Sequence, residues 1–171
     1  MKKTLRHGLQ VSFFFFFICQ ISVFSQPIRV AVLPFQNRDG DLKLNIWSYK
    51  LQDSVYNALK EQDPEENYYH LVPMDSVEAI LYQLNTDPTN PQFPSDMWKA
   101  VDSLNVKLVV SGNFNFEDEK FLINAYVFMV RLKLPNPQHQ ARDIFKREEV
   151  IMEAVPEIIE CLIPALIPEN E

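Results

Sequence analysis

The six positions from Ile28 to Leu33 read Ile-Arg-Val-Ala-Val-Leu, apolar everywhere except at Arg29. A run so uniformly apolar and β-branched predicts a central strand covered on both faces, and therefore helices on each side of a sheet. Pro34 removes a backbone donor and is expected to end the strand. After a loop over 36–44, Trp47, Leu51, Val55, Ala58 and Leu59 fall on one helical stripe, with Asn45 placed to cap it. Trp47 shares that stripe and is expected in the core. Tyr69-His70-Leu71-Val72 predicts a second strand, and Asp75 stands three residues before Glu78 in capping-box spacing. The helix so opened carries a stripe of Val77, Ile80, Leu81 and Leu84. Prolines at 88, 91 and 94 break regular structure, and Ser95 then caps a third helix whose apolar face is Met97, Ala100, Val101 and Leu104.

Residues 106–116 and 120–134 both read as strands, with Glu117-Asp118-Glu119 as the hairpin turn between them. In the second, Leu122, Tyr126, Phe128 and Val130 share one face while Phe121, Ile123, Ala125, Val127 and Met129 share the other, so both sides are expected to be buried. Residues 135–142 read as a loop, and 144–152 as a fifth, edge strand whose Lys146, Arg147, Glu148 and Glu149 discourage unwanted pairing. Pro156 suits the first turn of a closing helix built on Ile158, Ile159, Leu162, Ile163 and Leu166, which Pro164 ends early. The order β-α-β-α-α-β-β-β-α gives an α/β domain: one mixed five-stranded sheet flanked by helices.

Ahead of this domain, residues 1–25 have the three parts of a secretory signal. Lys2, Lys3 and Arg6 make a positive start, 11–24 an apolar middle, and Val23-Phe24-Ser25 an exit, with cleavage expected between Ser25 and Gln26. The five phenylalanines from Phe13 to Phe17 offer an uncleaved anchor as an alternative, but Gln20 leaves the apolar run short of the roughly 20 residues a spanning helix needs. Cys19 suggests lipidation, against which Phe16-Phe17-Ile18 lacks the small residues such a site requires. The expected division is a signal peptide over 1–25 and a single domain over 26–171.

The leader holds three cations and no acid, so residues 26–171 carry 13 lysines and arginines against 23 acids, a formal charge of −10. An acidic chain without a basic stripe argues against nucleic-acid binding and against adhesion to anionic lipid. Only Cys161 remains after the leader, which excludes an intrachain disulfide and a four-cysteine zinc site. Set among Ile158, Ile159 and Leu162, it is expected to be a small buried side chain.

Catalytic patterns are absent as well. Gly40 and Gly112 are the two glycines of the domain, too few and too far apart for a phosphate loop or a dinucleotide fingerprint. The loop Asn37-Arg38-Asp39-Gly40-Asp41 resembles the start of a calcium loop, but its glycine comes one place early and its twelfth position is Ser48 in place of a glutamate. A plain Asp-Gly turn is the expectation. His70 and His139 have no ligand spacing, and Ser111-Gly112 lacks the elbow of a serine hydrolase. Gly112 instead reads as a bulge or a close approach to a neighbouring helix. No catalytic residue, metal ligand or cofactor is expected.

Val30-Ala31-Val32-Leu33-Pro34-Phe35-Gln36-Asn37, the helix around 49–59, the strand end Val72-Pro73 followed by Asp75-Ser76-Val77, and Leu108-Val109-Val110-Ser111-Gly112-Asn113-Phe114 together resemble the amino-terminal domain of the TolB family. Related modules occur in envelope proteins of the curli-secretion and flagellar outer-membrane type. The resemblance covers about residues 28–167 and implies a mixed-sheet domain that works by binding in the bacterial envelope, without catalysis. The propeller that follows this domain in TolB has no counterpart here, so a stand-alone, periplasmic or outer-membrane-associated interaction module with an envelope protein partner is the expectation. Aromatic side chains dominate contact energies between proteins, which makes Trp98, Tyr68 and Tyr69 the candidate partner-binding residues. Two rival readings stay open. One is a component of an outer-membrane secretion or assembly complex that docks through the apolar helix over 158–167; the other is a small-ligand-binding protein or enzyme with a non-standard pocket.

Overall fold

Helices cover the whole of one sheet face and only half of the other, and that asymmetry governs where a site can form. The computed structural model describes residues 26–167, so the leader, its cleavage point and Cys19 lie outside the described residues. Along the chain come β1 (Ile28–Val32), β2 (Gln36–Asn37), α1 (Ile46–Gln62), β3 (Tyr69–Leu71), α2 (Met74–Gln83) and α3 (Phe93–Leu104). Then follow β4 (Leu108–Glu117), β5 (Lys120–Met129), β6 (Leu134–Arg147) and α4 (Ala154–Leu162). The sheet runs β3-β1-β4-β5-β6, with β2 pairing separately on β4. β3, β1 and β4 are parallel, whereas β4, β5 and β6 form an antiparallel meander. It is the mixed sheet with flanking helices that the pattern implied.

β1 is central and buried on both faces, as its sequence demands. Val30 and Val32 join the core under α1 and α4, while Ala31 and Leu33 join a second core under α2 and α3. Pro34 interrupts the strand without ending its path: β2 resumes pairing one step on, Gln36 opposite Asn113 and Asn37 opposite Phe114.

Several boundaries differ from the sequence reading, each for a local reason. Asn45 makes no side-chain cap for α1, because a 3-10 turn over Leu42–Asn45 precedes the helix and Asp41 caps that turn through the Lys43 N–H, at 2.9 Å. Asp75 lies inside the first turn of α2, which starts from Pro73 with no capping box. Pro94 opens α3 instead of preceding it, since the first helical turn needs no N–H there, and the Ser95 hydroxyl donates back to the Gln92 carbonyl. Trp47 is half-buried, packing edge-on against Phe121 at 5.8 Å.

The largest correction concerns 134–147. The predicted loop is strand, and β6 runs 14 residues, carrying Pro135 and Pro137. As the last strand it needs no outward N–H, so proline is tolerated there. Register shifts along β5–β6 leave Asp143 at φ 56, and its N–H donates to the Asn124 side chain at 3.0 Å. Residues 148–153 form a 3-10 turn, where strand was expected.

α4 packs on its own sheet, with Ile158 and Leu162 fully buried, and a 3-10 turn containing Pro164 ends it. Most of the apolar stripe that the docking alternative relied on is thus spent on the protein's own core, with Ile163, Ala165 and Ile167 partly exposed. Cys161 is exposed, contrary to expectation. At 100° per residue it falls about a quarter turn from the centre of the buried stripe.

Candidate functional site

The two sequence marks that looked like a motif meet in space as packing. Leu33 N–H donates to the Val110 carbonyl at 2.8 Å, the Ser111 hydroxyl to the Pro34 carbonyl at 3.2 Å, and Phe35 N–H to the Ser48 carbonyl at 3.1 Å. The fully buried Phe35 ring lies directly over Gly112: a Cβ there would stand 2.4 Å from the ring and 2.2 Å from the Asn124 carbonyl oxygen. Gly112 therefore marks a close approach, as its sequence suggested, but to an aromatic ring and a strand. Gln52, also fully buried, ties α1 to β1 by donating to the Val32 carbonyl at 2.8 Å.

Beyond this knot the second sheet face is uncovered. α2 and α3 cover Ala31, Leu33, Val72 and Val109 and reach only the near end of β5, where Phe128 and Val130 are partly buried against them. The same face continues through Ser111, Asn113 and Asn115 of β4, which lie opposite Tyr126, Asn124 and Leu122 of β5, and then to Phe145 of β6 opposite Leu122. Both faces of β5 were expected to be buried. Its Phe121, Ile123, Ala125 and Val127 are, whereas Leu122, Asn124, Tyr126 and Phe128 are half-exposed and Phe145 is 59% exposed. The signal was present in β4, whose alternate positions after the buried Ser111 are Asn113 and Asn115, side chains that alternation assigns to water.

The open face begins in a groove beside the start of α3. A cavity of about 80 Å³ lies between Phe93, Pro94 and Met97 of α3 and Ser111, Tyr126 and Phe128 of the sheet. It adjoins a wider cleft lined by Gln36, Asn37, Arg38, Asp39, Gly40, Thr89 and Asn113. This cleft lies off the carboxyl ends of β1 and β2, where the order β3-β1-β4 sends successive connections to opposite sides of β1. In open sheets such a switch point is the usual place for a ligand.

The cleft's polar groups largely satisfy one another. Asn37 donates to the Asp41 carbonyl at 2.9 Å and to the Asn45 side chain at 2.7 Å, and accepts from the Asp39 N–H at 3.1 Å. The Asp39 carboxylate accepts from the Phe116 N–H, which ties the loop to β4. The loop is thus the Asp-Gly turn expected, with Gly40 at φ 74. Among the described residues, no group of three or more His, Cys, Asp or Glu side chains is arranged to hold a metal ion. Nor is any described helix long and apolar enough to cross a membrane.

The candidate contact residues separate. Trp98 sits on α3 at the rim of the open face, half-buried, its indole edge-on to Phe128 at 5.9 Å. Tyr68 is 39% exposed but lies by β3, near the opposite sheet edge, its carbonyl accepting from Ile28 N–H. Tyr69 is 1% exposed, and its hydroxyl donates to the Leu59 carbonyl at 2.5 Å, so it is a core residue with no surface for a partner. Burial, with the Asp63 carboxylate nearby, pushes the Tyr69 phenol far above its usual range. Burial opposes the charge on Asp63, but three N–H groups, from Asn67, Tyr68 and Tyr69, point at its carboxylate and hold its pKa below the ordinary aspartate value. What sequence reasoning missed is that Tyr126 and Phe128, read as buried, stand half-exposed on the open face beside Phe145 of the edge strand.

No family model matches the chain, and no curated protein matches its sequence. Solved structures do. The C-terminal domain of LpoB from Salmonella enterica superposes with a TM-score of 0.51 at 12% identity, covering 74% of this chain and 87% of that one. The NMR structure of E. coli LpoB gives 0.50 at 13% identity, covering 71% of this chain and 59% of that one. TolB from Acinetobacter baumannii gives 0.48 at 16% identity, over 86% of this chain and 30% of TolB. At such identities the LpoB likeness is one of fold alone: the chain has the mixed-sheet architecture found in the LpoB C-terminal domain.

Proposed function

We propose that the protein is a non-catalytic interaction module of the bacterial envelope that binds a protein partner through the open face of β4–β6 and the groove beside α3. The observation that carries this reading is the half-covered sheet. A face holding Tyr126, Phe128 and Phe145, rimmed by Trp98 and by asparagines, has the aromatic core and polar rim common in protein interfaces. Edge pairing is the weaker route. β3 has only three residues, and β6 carries Pro135, Pro137, the irregularity at Asp143 and charged side chains, all of which blunt an edge. The leader pattern of residues 1–25 and the TolB-like run of Leu33-Pro34-Phe35 support placement in the envelope.

Photo-crosslinking in producing cells tests it. A photoreactive phenylalanine at Tyr126 or Phe145 is expected to capture a defined partner, whereas the same probe at Tyr82, 90% exposed on α2, captures none. Equal capture at all three positions, or capture at Tyr82 alone, overturns the assignment of the face.

A further inference from the structure

We infer that the open face is built for an extended acidic segment of its partner, an inference that rests on the interaction reading above. The sequence supplies the first observation. Residues 121–142 hold Arg131, Lys133 and Arg142 and not one carboxylate, in a chain whose 26–171 carry 23 acids and a formal charge of −10. The fold turns that stretch into one end of the sheet, β5 with the first two thirds of β6.

The second observation is geometric. Trp98, Phe128 and Tyr126 form a row of rings, 5.9 Å and 5.8 Å between successive centroids. A cation stands over each end of the row: Lys133 Nζ is 5.6 Å from the Trp98 ring and the Arg142 guanidinium carbon 5.9 Å from the Tyr126 ring. Cations at this distance from a ring face are held in place by its quadrupole while keeping their hydrogen-bond donors free. Among the described residues neither has a carboxylate within ion-pairing distance, although Asp96 pairs with Lys99 on the same helix as Trp98.

Two held, unneutralised cations flanking apolar rings match a chain with carboxylates at its ends and apolar side chains between. Complementary charge sets orientation and speeds encounter, and the rings supply the buried area. A basic or neutral segment would leave both cations facing nothing, and a second copy of this protein would need an exposed acidic strand of its own to fit.

The probe is an isotope-labelled sample of the purified protein titrated with two extended peptides of about twelve residues, one alternating glutamate with leucine and glycine, the other carrying lysine at every glutamate. The acidic peptide is expected to shift amides of β5, β6 and the start of α3, and the basic one to shift none. The double charge reversal Lys133→Glu with Arg142→Glu, at two exposed side chains, is expected to weaken the acidic peptide about tenfold or more and to invert the preference. Thermal unfolding of that variant should match the parent.

Equal binding of both peptides overturns the inference, as does an acidic peptide whose shifts fall outside this face. Displacement by an equally charged oligogalacturonate at the same affinity overturns the peptide assignment in favour of a polyanion site. Line broadening of the face with protein concentration alone overturns it in favour of self-association. Capture at Tyr126 together with no acidic-peptide binding sinks only the charge assignment; loss of preferential capture at Tyr126 sinks the interaction face itself.

Discussion

Replacing Gly112 by alanine asks whether the Leu33-Pro34-Phe35 and Ser111-Gly112 segments are a packing knot. The added Cβ would stand 2.4 and 2.6 Å from two carbons of the Phe35 ring and 2.2 Å from the Asn124 carbonyl, where ordinary contacts begin near 3.4 Å. Phe35 is fully buried and Asn124 belongs to the β5 backbone, so relief requires moving a core ring and a strand together. Overpacking of this kind costs about 1–3 kcal/mol, and two simultaneous clashes place this one toward the upper end, about 2–3 kcal/mol. For a domain of this size that lowers Tm by roughly 5–10 °C. Urea unfolding followed by circular dichroism gives the free energy, and an unchanged slope would show the same surface exposed. A double-mutant cycle then isolates the ring: in a Phe35→Ala background, itself costing about 3–5 kcal/mol, the Gly112→Ala penalty should shrink by about 1 kcal/mol or more. A Gly112→Ala loss below about 0.5 kcal/mol, or full additivity with Phe35→Ala, would refute the close approach.

Three further outcomes follow from the core. The Asp63 pKa is lowered in the folded state, so its stabilisation is fully present above its unfolded value near 4 and is lost as pH falls through the folded value. Asp63→Asn should cost about 1–3 kcal/mol at pH 7 and flatten the acid limb of the stability curve, read by urea titration at several pH values. Ser48→Ala removes a buried hydroxyl that has no partner, and should leave stability unchanged or raise it by up to about 1 kcal/mol in thermal unfolding. Gln52→Ala should instead cost about 1–2 kcal/mol, since stripping the Val32 carbonyl of its donor inside the core outweighs the relief of removing the unpaired Gln52 Oε1.

What the sequence made legible followed from periodicity. Val30, Ala31, Val32 and Leu33 announce a two-faced central strand, and the structure divides them between two cores as expected. Met97, Ala100, Val101 and Leu104 announce the buried face of α3. Periodicity alone cannot tell a side chain facing a helix from one facing water across an uncovered sheet, because Leu122, Tyr126 and Phe128 are apolar in either setting. The reach of α2 and α3 decides that, and it is a property of the assembled layer. Pro135 and Pro137 hid β6 for a related reason: proline is excluded from a central strand but not from a last one, and which strand is last depends on topology. Trp98 was identified by residue type, and the fold seats it against Phe128 at the rim of the open face.

Hydrogen exchange on the complex with the cross-linked partner tests the central claim most directly. If the half-covered sheet is the binding face, amides of β5, β6 and the first turn of α3 gain protection on binding, while the outer surfaces of α1 and α4 exchange as in the free protein. Protection confined to α1 and α4, with β5 and β6 unchanged, would contradict it.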